Sequence, residues 1–333
     1  MRRIPSIALM LALAVLIEPQ LVYAQQAKKP ARIGILRISE PPPQYLAAFR
    51  AGMAERGHKE GKTYLLIPGW RRPGEKKVKD SVLARRLAAK GIDLIVTVGS
   101  RMARAASRAA PNTPIVMASA GDPLRSRLVR SLARPGGNIT GMTAAGVEAS
   151  AKGIEVIKQL VPGIRRVAAI HRKRGKGTAR RSSAFPDSDK NVAKALGIDV
   201  VYHEVSGGDD FDVLFERLKG EGIDALSIRS GGSFTKAQRK RMAEAALRAK
   251  LPSVTSSILF VRLGGLVSLG TDRRWLFRRA AAYVDLILKG AKPGELPVER
   301  PREFRLVLNA RTAKALGIKV PHHMLLRSDE VIQ

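Results

Sequence analysis

Small hydroxyl-bearing and acidic side chains stand where several apolar segments of this sequence end. The segment "PIVMASAGDP", residues 114–123, runs from an apolar strand pattern directly into Ser119 and Asp122. A strand that ended against a packed core would have large apolar side chains at this point. These small residues therefore predict space for another molecule. Ser39 and Ser100 also follow apolar segments closely. Hydroxyl and carboxylate groups at such positions bind small polar molecules by hydrogen bonds, and this is the chemistry that we predict.

The candidate ligand-binding residues come from the ends of predicted strands along the whole chain. Ser100 is expected to cap the helix that follows, and the free amide groups of that helix could then hold an anion. An ordinary helix cap is the commoner role of such a serine. Asp122 could accept a ligand hydroxyl or bind a cation, or it could simply shape the turn before Pro123. The predicted contacts are Ser39, Ser100, Arg101, Ala118, Ser119, Asp122, Thr140, Arg174, Ser230 and Ser256.

The residue patterns typical of enzymes are poorly represented. The chain has five histidines and no cysteine, and none of the histidines has metal-ligand spacing with an acidic partner. There is no phosphate-binding P-loop and no G-x-S-x-G, and the segment "GKGTAR" from Gly175 lacks the third glycine of a dinucleotide-binding loop. We therefore predict no catalytic residue, no metal and no cofactor.

The chain is strongly basic, with 60 lysines and arginines against 28 acidic residues and a net charge of +32. A charge of this size is typical of proteins that bind polyanions. The basic residues are spread over nearly every predicted helix, however, and the densest run, "RKRGKGTARR" at 172–181, has no aromatic side chain for base stacking. We predict a solvated basic surface without a specific nucleic-acid partner, and keep a basic polyanion-binding or structural protein as the alternative.

The N-terminus has the pattern of a secretory signal peptide. Arg2 and Arg3 precede an unbroken apolar run at 7–17, and the run is too short to span a bilayer stably. The segment "VYA" that ends at Ala24 places suitable residues before a cleavage site. We predict a signal peptide over residues 1–24 with cleavage after Ala24.

Strand and helix patterns alternate almost throughout the remaining chain. Three similar segments have a glycine at the end of a helix pattern, and an apolar strand pattern follows the glycine. They are "KGIDLIV", "LGIDVVY" and "EGIDALS". Strands are predicted at 32–37, 63–67, 93–98, 114–118, 166–171, 199–203, 224–228, 253–256 and 265–269. Helices are predicted at 43–56, 78–90, 101–109, 147–161, 183–196, 209–220, 234–249 and 273–289. Such alternation is typical of an α/β fold, here with two parallel sheets of four or five strands flanked by helices.

Three segments interrupt this alternation and suit crossings between two lobes. They are rich in glycine or proline and lie at 132–143, 264–272 and 290–301. Three crossings make each lobe discontinuous in sequence and allow the two lobes to hinge. The predicted N-terminal lobe comprises 31–142 with 271–297, and the C-terminal lobe comprises 143–270 with 298–333.

Several longer stretches carry a resemblance to a known family. They are "IVTVGSRMARAA", "TPIVMASAGDP", "LVRSLARPGGNITGMT", "GGLVSLGTD", "RRAAAYVDLILKGAKPGELPVE" and the ending "LNARTAKALGIKVPHHMLLRSDEVI". With these stretches the chain resembles the periplasmic solute-binding proteins of ABC transporters, in the subgroup that includes tryptophan- and phenylalanine-binding members. The resemblance implies two Rossmann-like lobes joined by a three-segment hinge, a periplasmic location, an inner-membrane ABC permease as partner, and no enzymatic activity. We expect a monomer that binds a small solute.

The sequence departs from this family's usual pattern at three places in the C-terminal lobe. "HRKRGKG" stands where the family usually has a "WNP"-like turn, "RSGGSF" replaces an acidic or proline-rich end, and Leu269 replaces a tyrosine. Arg172, Arg174 and Arg229 near the expected cleft would favour an anionic solute, although all three could equally be solvated. We therefore predict a small anionic or amino-acid-like solute, held by the start of the Ser100 helix and by an arginine of the C-terminal lobe.

Overall fold

The computed structural model describes residues 29–72, 74–75, 78–144, 146–172, 187–206, 208–229, 234–301 and 304–333. The predicted signal peptide and the predicted contacts Arg174 and Ser230 lie outside the described residues. Within the described ranges, no helix combines the length and the apolar character needed to cross a membrane.

Two sheets organise the chain. The strands are β1 (Ala31–Leu36), β2 (Tyr64–Gly69), β3 (Leu94–Val98), β4 (Ile115–Ala120), β5 (Ile139–Thr143), β6 (Arg166–Arg172), β7 (Asp199–Val205), β8 (Ala225–Ile228), β9 (Ser253–Thr255), β10 (Val267–Gly270), β11 (Arg305–Asn309) and β12 (Glu330–Ile332). The helices are α1 (Pro43–Ala54), α2 (Asp80–Ala88), α3 (Ser100–Ala109), α4 (Gly146–Leu160), α5 (Asp187–Ala195), α6 (Phe211–Gly220), α7 (Lys236–Arg248), α8 (Ile258–Arg262), α9 (Arg273–Leu288), α10 (Ala310–Ala315) and α11 (His322–Arg327).

The N-terminal lobe is a five-stranded parallel sheet in the order β2-β1-β3-β4-β5. Helix α9 returns from the second half of the chain to pack on α1 of this lobe. The two helices approach closely at Gly52, where an added Cβ would lie 2.6 Å from the carbonyl oxygen of Arg278. The rings of Tyr45 and Phe277 stack beside this contact with their centroids 5.4 Å apart. The start of α9 is thereby fixed against the first helix of the chain.

The C-terminal lobe is a seven-stranded sheet in the order β12-β11-β10-β9-β8-β6-β7, in which β11 runs antiparallel to β10 and β12 runs parallel to β11. The predicted α/β class, with two lobes of parallel strands flanked by helices, is confirmed. The predicted size of four or five strands is wrong for this sheet, because β11 and β12 were not predicted. Segments of five and three residues carry too little periodicity to be recognised, and they become strands by pairing at the sheet edge.

The crossings between the lobes differ in detail from the prediction. Part of the segment predicted as a crossing at 132–143 is strand β5, which was not predicted, whereas β10 in the segment at 264–272 lies where a strand was predicted at 265–269. The backbone amide of Thr143 donates to the carbonyl of Glu299 at 2.9 Å. The hydroxyl of Thr271 donates to the carbonyl of Ala144 at 3.2 Å. These bonds tie the three connecting segments together side by side, while the predicted lobe boundaries themselves stay a prediction.

Candidate functional site

The carboxyl ends of the N-terminal-lobe strands bring three of the predicted serines to one edge of their sheet. Ser39 follows β1, Ser100 follows β3, and Ser119 lies near the end of β4. The hydroxyl of Ser100 accepts a hydrogen bond of 3.0 Å from the amide of Gly121, which links the loop after β3 to the loop after β4. Because ligands of open parallel sheets bind beyond these strand ends, the edge is a candidate wall of a solute site.

The predicted capping role of Ser100 is wrong. Gly99, with φ of 93°, occupies the N-cap position, and Ser100 is the first residue of α3 without a side-chain cap hydrogen bond. A positive φ strongly favours glycine over residues with a Cβ, so Gly99 makes the turn and Ser100 is displaced by one position. Ser100 instead connects the loops after β3 and β4, and its side chain accepts no hydrogen bond from the free amide groups at the start of α3.

Four other predicted contacts are engaged within the protein or have no free polar group. Arg101 forms an ion pair of 2.8 Å with Asp80 on the surface. Asp122 accepts a hydrogen bond of 2.9 Å from the amide of Arg125, as a turn residue does. Ala118 is fully buried within β4. Thr140 is also fully buried, and its hydroxyl donates to the carbonyl of Leu296 at 2.7 Å, so the structure does not bring it to the rim.

The facing edge of the C-terminal lobe carries Ser256 directly after β9. The carbonyl oxygen of Ser256 lies so close to Gly270 that a Cβ there would stand 2.4 Å from it. Because Gly270 has no side chain, the segment after β9 can pack against the end of β10, where the chain leads into α9. Arg172 ends β6 and Arg229 follows β8, where the amide of Arg229 donates to the carbonyl of Ile170 at 3.0 Å.

Three arginines that the sequence did not single out lie at these strand ends. Arg37 follows β1, and its Nη1 donates to the carbonyl of Glu40 at 2.8 Å. Arg239 extends from the first turn of α7, where its Nε donates to the carbonyl of Phe234 at 3.1 Å and its Nη1 donates to Oγ of Ser257 at 2.7 Å. Arg273 is the first residue of α9, three positions after β10. All three arginines are half-buried.

The electrostatics connect these arginines across the two lobes. Burial lowers the pKa of Arg37, and the charge of Arg273 lowers it further while Tyr45 raises it. The pKa of Arg239 in the other lobe is lowered by the same causes in the same order: burial first, then Arg273, against the opposing effect of Tyr45. Both guanidinium groups thus respond to the charge of Arg273 at the start of α9 and to Tyr45, whose ring stacks on Phe277 one turn further along that helix.

The acid nearest to Arg273 in sequence is committed elsewhere. Asp272 caps α9 by accepting from the amide of Arg274 at 2.8 Å, and its carboxylate pairs with the side chains of Arg274 and Arg305 at 3.2 and 3.6 Å. Burial would raise the pKa of Asp272, but the hydrogen bonds from Arg274 and the charges of Arg274 and Arg305 hold it below its usual value. Among the described residues, no carboxylate lies within 4 Å of Arg37, Arg239 or Arg273. These three guanidinium groups are therefore candidates for binding an anion.

One signal in the sequence could have identified the first of these arginines. Arg37 directly follows a strand pattern, as Ser39 does, and so belongs to the same set of strand ends. Arg239 and Arg273 lie inside helix patterns among many other basic residues, and no local feature distinguishes them.

Comparisons with known proteins agree with the two-lobed architecture. Residues 33–332 match the family described as ABC transporter substrate binding protein. The chain is 26% identical over 296 residues to a tyrosine-binding protein of Clostridioides difficile (strain R20291), covering 88% of this chain and 83% of that protein.

Solved structures show the same fold. An ABC domain from Streptococcus pneumonia in complex with L-Trp has a TM-score of 0.78 at 24% identity, covering 91% of this chain and 100% of that one. A conserved domain protein from Vibrio cholerae O1 biovar eltor has a TM-score of 0.76 at 26% identity, with the same coverage of both chains. Because the family match extends over nearly the whole described chain, this protein belongs to the ABC transporter substrate binding protein family and is a solute receptor of an ABC importer.

Proposed function

We propose that this receptor binds a small solute with an anionic group between its two lobes and delivers it to an inner-membrane permease. The observation that supports the proposal is the placement of three half-buried arginines without an acidic partner among the described residues: Arg37 after β1, Arg239 bonded to Ser257 after β9, and Arg273 at the start of α9. Guanidinium groups bind carboxylates through charge-assisted hydrogen bonds. The tyrosine-binding relative and the L-Trp-bound neighbour both take ligands with a carboxylate, which supports the same chemistry here.

The hydroxyl groups at the strand ends complete the proposed site. Ser39, Ser100 and Ser119 would line the N-terminal-lobe wall, and Ser256 would line the opposite wall. In this proposal the serines orient the neutral part of the solute, while the arginines supply most of the affinity.

The proposed site is tested by identifying what the purified protein carries. We expect mass spectrometry of the denatured protein to release one small acid, and calorimetry to show that this acid rebinds one-to-one and saturably. Small-angle scattering should then show a smaller radius of gyration with the solute bound, since closure brings the lobes together. Binding that does not saturate and falls steeply with salt would instead favour the polyanion-binding alternative.

Receptors of ABC importers typically work outside the cytoplasm, and we propose that this one reaches the periplasm as a processed monomer. N-terminal sequencing of the protein from a periplasmic fraction should begin at Gln25, because the apolar run before Ala24 has the length of a signal peptide. Gel filtration of the same material should give the mass of one chain. Intact Met1 on a membrane-bound form would contradict the prediction of cleavage.

A further inference from the structure

We propose that the solute carries two anionic groups on one small molecule, and that Arg37, Arg239 and Arg273 bind these two groups together. The inference rests on the proposed function, because it names the class of solute for the same cleft. The chemistry is that of a dicarboxylate or of a phosphorylated small acid.

The first step is that the three guanidinium groups converge from separate elements. Arg239 is held by Ser257, whose preceding residue Ser256 lies against Gly270 at the end of β10. Arg273 begins α9 three residues after Gly270, so the C-terminal-lobe arginine and the hinge arginine share one end of the cleft.

The N-terminal lobe brings the third arginine to the same place. Tyr45 of α1 stacks on Phe277, which lies one helical turn beyond Arg273 on α9. Arg37 follows β1 in the short loop that leads into α1, and the contacts of Tyr45 with Phe277 and of Gly52 with Arg278 place the start of α1 beside the start of α9. The charge of Arg273 accordingly lowers the pKa of Arg37, as it does that of Arg239. The elements that carry Arg37, Arg239 and Arg273 therefore lie at one end of the two lobes, and we infer that the three guanidinium groups act there as one cluster.

The second step is a count of charges. Three positive groups lie in this half-buried cluster, and Asp272 already pairs with Arg274 and Arg305. Glu40 gives Arg37 its backbone carbonyl, while its side chain is exposed and has no carboxylate contact with the cluster. When the lobes close, a solute with one carboxylate would leave two of the three arginine charges without a partner. A solute with two anionic groups would leave one arginine charge without a partner. Closure is consequently favoured by a doubly charged solute.

The third step is that the cluster suits a small molecule. Arg37 and Arg239 each donate hydrogen bonds to neutral partners inside their own lobe, and these bonds hold the guanidinium groups in place and reduce the ordering needed on binding. The net charge of +32 adds a long-range attraction that favours the capture of anions and weakens with ionic strength.

The test compares solutes that differ by one anionic group. Calorimetry with succinate and butyrate, L-aspartate and L-asparagine, and O-phospho-L-serine and L-serine separates dicarboxylates, acidic amino acids and phosphate esters. We expect the doubly anionic member of at least one pair to bind at least tenfold more tightly than its partner. Equal affinities within every pair, or no binding of the three doubly anionic solutes at millimolar concentration, would overturn the inference.

A variant assigns the preference to the cluster. Arg273→Gln should reduce the preference for the doubly anionic member to less than threefold, because one of the three charges is gone. Arg278→Gln, on the same helix, has an exposed side chain paired with Glu55 and should keep the full preference. An unchanged preference in Arg273→Gln would contradict the assignment.

The same panel separates failure of this inference from failure of the proposed function. One-to-one binding of L-tyrosine or L-tryptophan without any preference for the doubly anionic solutes would overturn the inference and leave an anionic-group receptor standing. Absence of saturable binding by every probe, together with no acid released from the purified protein, would refute both.

Discussion

Replacing Arg239 by alanine is expected to weaken solute binding by about ten- to a hundredfold. The guanidinium group is half-buried and oriented by Ser257 and the carbonyl of Phe234, so it meets the solute at little ordering cost. A hydrogen bond to a charged group contributes about 1.5–3 kcal/mol. Each 1.4 kcal/mol corresponds to about a tenfold change in the dissociation constant. Calorimetry with the solute released from the parent protein measures the change directly.

Two further variants make this result specific. Arg248 lies on the same helix, but its side chain is exposed and pairs with Asp212 at 2.6 Å, so Arg248→Ala removes the same charge far from the cleft. The affinity of the Arg248→Ala variant for the solute should stay within twofold of that of the parent protein. The Arg239→Lys variant keeps the positive charge but lacks the planar guanidinium group. Its affinity for the solute should therefore lie between those of the parent protein and the alanine variant. Parent-like binding by a folded Arg239→Ala protein would place the site elsewhere.

Replacing Gly141 by alanine is expected to destabilise the N-terminal lobe by about 2–6 kcal/mol. Gly141 has φ of 119°, and an added Cβ would stand 2.3 Å from the carbonyl oxygen and 2.5 Å from the amide nitrogen of Met117. Strained backbone costs about 1–3 kcal/mol. Overpacking of a core costs about 1–3 kcal/mol more. Both contacts are with the neighbouring strand β4, whose backbone cannot move without breaking the sheet, so neither cost is easily relieved.

Urea unfolding followed by circular dichroism measures this effect. Gly137→Ala is the matched control, because a Cβ at Gly137 meets no atom within 4 Å and its φ is not in the left-handed region. Its free energy of unfolding should stay within about 0.5 kcal/mol of the parent, as for other surface changes. The carbonyl of Gly141 also accepts the amide of Glu299 in the crossing, so the Gly141 variant should disturb the hinge as well. Equal stability of the two variants would contradict the prediction.

Most of the fold could be predicted because its signals are local. Apolar strand segments and amphipathic helices alternate in the sequence, and glycines such as Gly91 and Gly197 end helices with positive φ, as the repeated phrases predict. Strand β5 escaped prediction as a strand because "ITGMT" lacks a clear apolar period. Its five residues are all buried only because the strand pairs with β4, which is a property of the sheet and not of the segment.

The predicted site residues stay a prediction, and the structure shows what several of them contact within the protein. Serines follow the strands as expected, but a sequence pattern does not show that Gly99 takes the cap position and leaves Ser100 to bind Gly121. Thr140 looks like a linker hydroxyl in the sequence. It is buried because the 3-10 turn before Leu296 folds back over β5. No residue near Thr140 in the sequence predicts its hydrogen bond to Leu296.

The sequence alone determined the class of protein, the alternation of strands and helices, and an excess of positive charge spread over the whole chain. Tertiary structure decided which basic residues of the described chain are half-buried beside strand ends, as Arg37, Arg239 and Arg273 are. Arg37, Arg239 and Arg273 are far apart in sequence, and each lies beside the carboxyl end of a strand, because Arg37 follows β1, Arg239 bonds Ser257 after β9, and Arg273 follows β10 at the start of α9, which returns to pack on α1. Helix and strand patterns arise from interactions between near neighbours, whereas a cluster of charges depends on burial and on long-range packing, which no short segment encodes.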